Sequence, residues 1–104
     1  MEPKYRIIIS PEAERNIQAI YDFTARDSPQ NASGMVSRIL DGIDRLENFP
    51  HRNVAEHEDR RIKYPMRTLP VKPYVVYFRV RDDEQVVYIH TVRHGARKPP
   101  KRFD

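Results

Sequence analysis

Apolar residues recur along this chain in two rhythms, one in each half. In the first half they return every three or four positions, the spacing of a helix with one buried face; in the second they alternate, the spacing of a strand. The opening run Tyr5-Arg6-Ile7-Ile8-Ile9 is short, rich in β-branched residues and stopped by Ser10-Pro11, which predicts a buried strand. Ser10 suits a helix N-cap, Pro11 the first helical position, and Glu12 and Glu14 the positive end of the helix dipole. Ala13, Ile17, Ile20, Tyr21 and Thr24 then form one stripe, and the helix should stop near Arg26-Asp27. Ser28-Pro29 repeats the start signal. Ala32, Met35, Val36, Ile39, Leu40, Ile43 and Leu46 make the second stripe, with Asp41, Asp44, Arg45 and Glu47 on its wet side and Asn48-Phe49-Pro50 as its close.

Two amphipathic helices joined by so short a link form an antiparallel hairpin whose stripes need a common partner layer. The second half supplies it. A charged connection, His51 to Asp59, leads to a strand expected near Ile62 to Leu69, placed at a sheet edge because Pro65 has no N–H to donate. Pro70-Val71-Lys72-Pro73 should turn the chain. Tyr74 to Arg81 alternates, with Tyr74, Val76, Phe78 and Val80 toward the helices and Val75, Tyr77, Arg79 and Arg81 away. Asp82-Asp83 marks a hairpin. The last strand, Gln85 to Arg93, is expected with Val87 and Ile89 inward and Tyr88 and His90 outward, ending at Gly95. The predicted architecture is α+β in the order β-α-α-β-β-β: a two-helix hairpin on one face of a small antiparallel sheet.

The 104 residues make one domain, assigned to residues 1–97, with 98–104 as a basic tail made extended by Pro99-Pro100. The chain has no Cys, which excludes disulfides and thiolate metal sites. Its N-terminus lacks a signal-peptide layout, and no apolar run approaches the ~20 residues that span a bilayer, so a cytoplasmic location without membrane contact is expected. The net charge of +4 hides a division. Through Asp59 there are seven Lys/Arg against eleven Asp/Glu; from Arg60 onward there are twelve against four. A basic half of this kind attracts polyanions or an acidic protein, and the sheet face without helices is where those cations should lie.

Three blocks carry a resemblance: Tyr5-Arg-Ile-Ile-Ile-Ser-Pro-Glu-Ala-Glu14, Arg67-Thr-Leu-Pro-Val-Lys-Pro-Tyr-Val-Val-Tyr-Phe-Arg79, and Val92-Arg-His-Gly-Ala-Arg97. In order and spacing, over about residues 4 to 97, the chain resembles the RelE/ParE toxin superfamily, nearer its ParE branch. The resemblance implies the toxin of a type II toxin–antitoxin (plasmid stabilisation) system. Such a toxin is neutralised by a cognate ParD-like antitoxin that wraps a C-terminal segment around it. ParE-like members poison DNA gyrase without being nucleases; RelE-like members cut messenger RNA on the ribosome.

The target-binding residues expected on this basis are Arg67, Arg79, Arg81, Arg93, His94 and Arg97. A nuclease would need proton-transfer groups and positive charge around the pentavalent phosphate, and His94, Lys63 and Arg67 are its candidates, with Arg61 adding charge and His90 or Glu58 as substitutes for His94. RelE-like nucleases commonly carry a C-terminal Tyr, whereas no Tyr follows Tyr88 here. No cofactor is implied. A metal site is not expected either: on a strand His90 and His94 share a face but sit roughly 13 Å apart, and His51 and His57 lie among Glu56, Glu58 and Asp59 in a loop, where solvated side chains are the ordinary outcome. Tyr77 and Tyr88 interleave with Arg79 and Arg81 as possible stacking surfaces. The tail Arg97-Lys98-Pro99-Pro100-Lys101-Arg102 reads either as a solvated extension or as added phosphate affinity.

Overall fold

The computed structural model describes residues 4–48, 50–52 and 63–97. Strand β1 (Arg6–Ile9) runs into helix α1 (Pro11–Ala25), followed by α2 (Pro29–Arg45), a short 3₁₀ turn at Pro50–Arg52, and strands β2 (Arg67–Val71), β3 (Tyr74–Arg81) and β4 (Val86–His94). Both helix starts obey their sequence signals. Ser10 Oγ accepts from the Ala13 N–H at 3.0 Å and Ser28 Oγ from the Asn31 N–H at 3.2 Å, each ahead of a proline in the first turn. α1 stops at its cap Arg26; α2 stops at Leu46, whose side chain is buried beyond the last helical turn.

The strand order is β1-β4-β3-β2. β2–β3 and β3–β4 are antiparallel, but β1 lies parallel to β4, so the sheet is mixed rather than antiparallel throughout. The helix hairpin carries the chain across the sheet between the first strand and the rest, and the last strand ends up beside the first. β1 is therefore an edge strand whose residues alternate between exposed and half-buried, not a fully buried one. The other edge is β2, as Pro65 suggested, but the strand begins five residues later than Ile62. Residue 62 lies outside the described residues, and 63–66 carry no ladder. Pro70 and Val71 belong to the strand instead of the turn, which is confined to Lys72-Pro73. Pro70 is tolerated because an edge strand leaves one row of N–H groups outside the ladder.

Ile39 and Ile43 of α2, with Ala13 and Ile20 of α1, pack on Val76, Phe78 and Val80 of β3 and Val87, Ile89 and Val92 of β4. Phe78, Ile39, Ile43 and Ile89 are each at most 1 % exposed, and burying one such side chain stabilises by about 1.5–3 kcal/mol. Leu40 departs from the predicted stripe: it is exposed, on the shoulder of α2.

Candidate target-binding face

The helices take one side of the sheet, and alternation assigns residues to the other. In β3 Arg79 is half-buried and Arg81 exposed, while Val76, Phe78 and Val80 are in the core, as expected; Tyr77, expected as a stacking surface, is buried instead and offers no ring to a ligand. In β4 it changes midway. Phe78 pairs with Ile89 but Tyr77 pairs with Thr91, so His90 is an extra residue, a β-bulge. Ile89 and Val92, three apart, both reach the core. The bulge therefore inverts the alternation beyond it. His90 stays with Tyr88 on the open side, Arg93 joins that side opposite Val75, and His94 is carried to the helix side opposite Tyr74.

Around His90 the open side forms a depression of about 390 Å³ lined by Tyr64, Arg79, Arg81, Tyr88 and His90. The Tyr88 and His90 rings lie 4.6 Å apart, tilted by 57°. Tyr64 is held at both ends: its carbonyl accepts from Arg79 Nε at 2.7 Å, and its hydroxyl donates to Asp83 Oδ1 at 3.0 Å. The Arg81 guanidinium stands 4.9 Å from the Tyr64 ring centre and the Lys63 ammonium 5.3 Å. Donation from Tyr64 holds the Asp83 carboxyl below the usual carboxylate range, with Lys63 and Arg81 adding to the effect. Arg81 is held even more firmly protonated by Tyr64 and by Glu84, whose Oε1 is 3.4 Å from Nη1. The depression thus presents cations and aromatic faces to one small volume. That combination suits a phosphate-bearing group or an acidic side chain flanked by a flat ring.

The predicted set is divided by this geometry. Arg79 and Arg81 come together at the depression, and Lys63 reaches the ring of Tyr64, one of its walls. Arg93 is on the same face but, opposite Val75, about 13 Å along the strand from Arg79. Arg67 is not on this face: it pairs with Phe78 and shares the inward side of Leu69 and Val71, close enough to Asp82 to help depress that carboxyl. His94 is also a correction. Its ring packs edge-on against Tyr74 with centres 5.6 Å apart, and its Nδ1 accepts from the Ala96 N–H at 3.0 Å. His90 and His94 consequently lie on opposite faces, contrary to the shared face expected of an unbroken strand. Arg97 is exposed past the strand end, where its N–H donates to the His94 carbonyl. Arg61, His57, Glu56, Glu58, Asp59 and the tail 98–104 lie outside the described residues.

Sequence reasoning missed Tyr64 because it placed that residue inside a strand. The signal available was its position before Pro65, where the chain is extended but the next residue cannot join a ladder. It also gave no role to His51, whose Nε2 is 2.7 Å from Asp82 Oδ1 while the Tyr5 hydroxyl donates to the same oxygen at 2.6 Å. Those three residues tie the β3–β4 hairpin to the start of β1 and the turn after α2. Among the described residues no group of three His, Asp or Glu is placed to hold a metal ion.

Comparison with known proteins places this geometry in context. The family model for the ParE toxin of the type II toxin–antitoxin system parDE matches residues 7–99. Among solved structures, the chain is similar to one from the chromosomal ParDE toxin–antitoxin system of P. aeruginosa, with a TM-score of 0.69 and 19 % identity over 88 % of this chain and 96 % of that one. It is similar to a chain of the archaeal RelE–RelB complex from Pyrococcus horikoshii OT3, with a TM-score of 0.67 and 16 % identity over 91 % and 99 %. A chain of the RelBE2 toxin–antitoxin complex from Mycobacterium tuberculosis gives 0.62 and 17 % over 88 % and 98 %. A search of curated proteins finds no match.

Proposed function

The chain belongs to the ParE toxins of type II toxin–antitoxin systems, and from this premise we propose that it arrests growth in the cytoplasm by poisoning DNA gyrase, without catalysis of its own, until a ParD-like antitoxin neutralises it. The observation that carries the non-catalytic reading is the separation of the nuclease candidates. His94 and Arg67 point to the helix side, whereas Lys63 sits against the Tyr64 ring. An acid–base group and the cations that would stabilise a pentavalent phosphate must converge within a few ångströms, and these do not. The open face is then a binding surface, with Arg79, Arg81 and Arg93 as its charged contacts. Purified protein added to gyrase and supercoiled plasmid should accumulate cleaved DNA, and Arg79→Glu should reduce this at least tenfold; unchanged plasmid topology at excess toxin overturns the reading.

One observation favours a second reading, a ribosome-dependent messenger RNA endonuclease. His90, replacing His94, lies at the depression with Tyr88, Tyr64, Arg79 and Arg81, which brings titratable rings and cations together. In that case induction should produce new messenger RNA ends at codon boundaries, mapped by primer extension, and His90→Ala should remove them while His94→Ala does not.

A further inference from the structure

β1 ends at Ile9, while β4, its parallel neighbour, continues to His94. Beyond Ile9 that side of β4 has no strand beside it among the described residues, and its backbone groups need other partners. They find them on α1. Ser10 Oγ donates to the carbonyl of the bulge residue His90 at 2.7 Å. Asn16 Oδ1 accepts from the Val92 N–H at 3.0 Å and from the Thr91 hydroxyl at 2.8 Å. Thr91 is 1 % exposed, so its hydroxyl has no recourse to water. The bulge is thus clamped on both sides of the extra residue by side chains from the opposite layer. Without it, alternation would send Arg93 inward and leave His94 outward.

We propose that Asn16 is a positioning residue for the open face: by accepting both hydrogens that follow His90, it fixes the bulge that keeps Arg93 on the target-binding side and His94 off it. The inference rests on the reading of that face as the working surface. Its chemistry is specific, because only Oδ1 is used and only as an acceptor. A carboxylate can therefore replace the amide, whereas a methyl cannot.

The test compares the full chain with Asn16→Ala, Asn16→Asp and Arg79→Glu. Growth arrest on induction is one readout, and the NMR signals of the His94 ring, which carry the shift imposed by the Tyr74 ring edge-on beside it, are the other. Asn16→Ala should move the His94 signals toward those of an isolated ring and lower toxicity at least tenfold, and Asn16→Asp should restore both. A loss of stability alone would lower the melting temperature of Asn16→Ala but leave the native His94 signals in place, and that result overturns the proposal. So does full toxicity of Asn16→Ala with altered His94 signals when Arg79→Glu is inactive. If Arg79→Glu and His90→Ala are both fully toxic, the working-surface reading itself fails. Should Asn16→Ala not fold, the wild-type Val92 amide decides: protection like that of core amides supports the clamp, and exchange as fast as at the exposed strand edges overturns it.

Discussion

At the scale of single residues, the clearest electrostatic feature is Asp82. The Tyr5 hydroxyl, and after it His51, hold its carboxyl below the ordinary carboxylate range, with the Arg67 charge assisting and partial burial opposing. A carboxyl whose folded value is depressed contributes stability that is present above its unfolded value, about 3.9, and is lost as the pH falls through the folded value. Its side chain is 61 % exposed, so solvent screening keeps the contribution to roughly 0.5 kcal/mol. Asp82→Asn should therefore lower the urea midpoint slightly at pH 7, and the difference from wild type should shrink as the pH falls from about 3.9 through the depressed folded value. Denaturation series at pH 7, 5 and 3 check this; a difference that persists undiminished in acid would show that the ionised carboxylate is not the cause.

At the scale of elements, helix starts were legible because Ser-Pro has a local meaning: an acceptor for orphan N–H groups, then a residue with none to offer. Strand faces were legible only while alternation held. Leu69 and Val71 already imply that Arg67, two positions before Leu69, points inward; the expectation for Arg67 followed the charge of the basic half instead of the period of its own strand. The bulge at His90 is different, since its cause lies in Ser10 and Asn16, more than seventy residues away. The parallel pairing of β1 with β4 is non-local in the same way. Within α2 the two glycines separate intrinsic preference from packing. A Cβ at Gly34 would meet nothing within 4 Å, whereas at Gly42 it would come within 3.2 Å of Leu69 Cδ2 and 3.4 Å of Val71 Cγ2. Gly34→Ala should thus stabilise by about 0.5–1 kcal/mol through helix propensity alone. Gly42→Ala should gain less or lose, since the ends of two β2 side chains must yield. Thermal melts of the two variants decide it, and equal shifts would mean that the α2–β2 contact is loose.

At the scale of the whole molecule, the charge division along the chain becomes a division between layers, though less completely than composition suggests. The acidic half supplies the helices, with Glu12, Glu14, Asp41 and Asp44 exposed on them. The basic half supplies the sheet, whose open side carries Arg79, Arg81 and Arg93, but Arg67 is diverted inward by register. Affinity for a polyanion should follow the layer and not the net charge. Each reversal from Arg to Glu changes the total by the same two charges wherever it is made, so a helix-side pair is a fair control. Arg79→Glu with Arg93→Glu should elute from heparin at clearly lower salt than Arg15→Glu with Arg26→Glu, both of which are exposed on or beside α1. The reason is that contacts with a polyanion release its counterions only where the cations line one surface. Equal elution of the two pairs would mean that the chain meets polyanions through its overall charge, and the open face would lose its standing as an oriented binding surface.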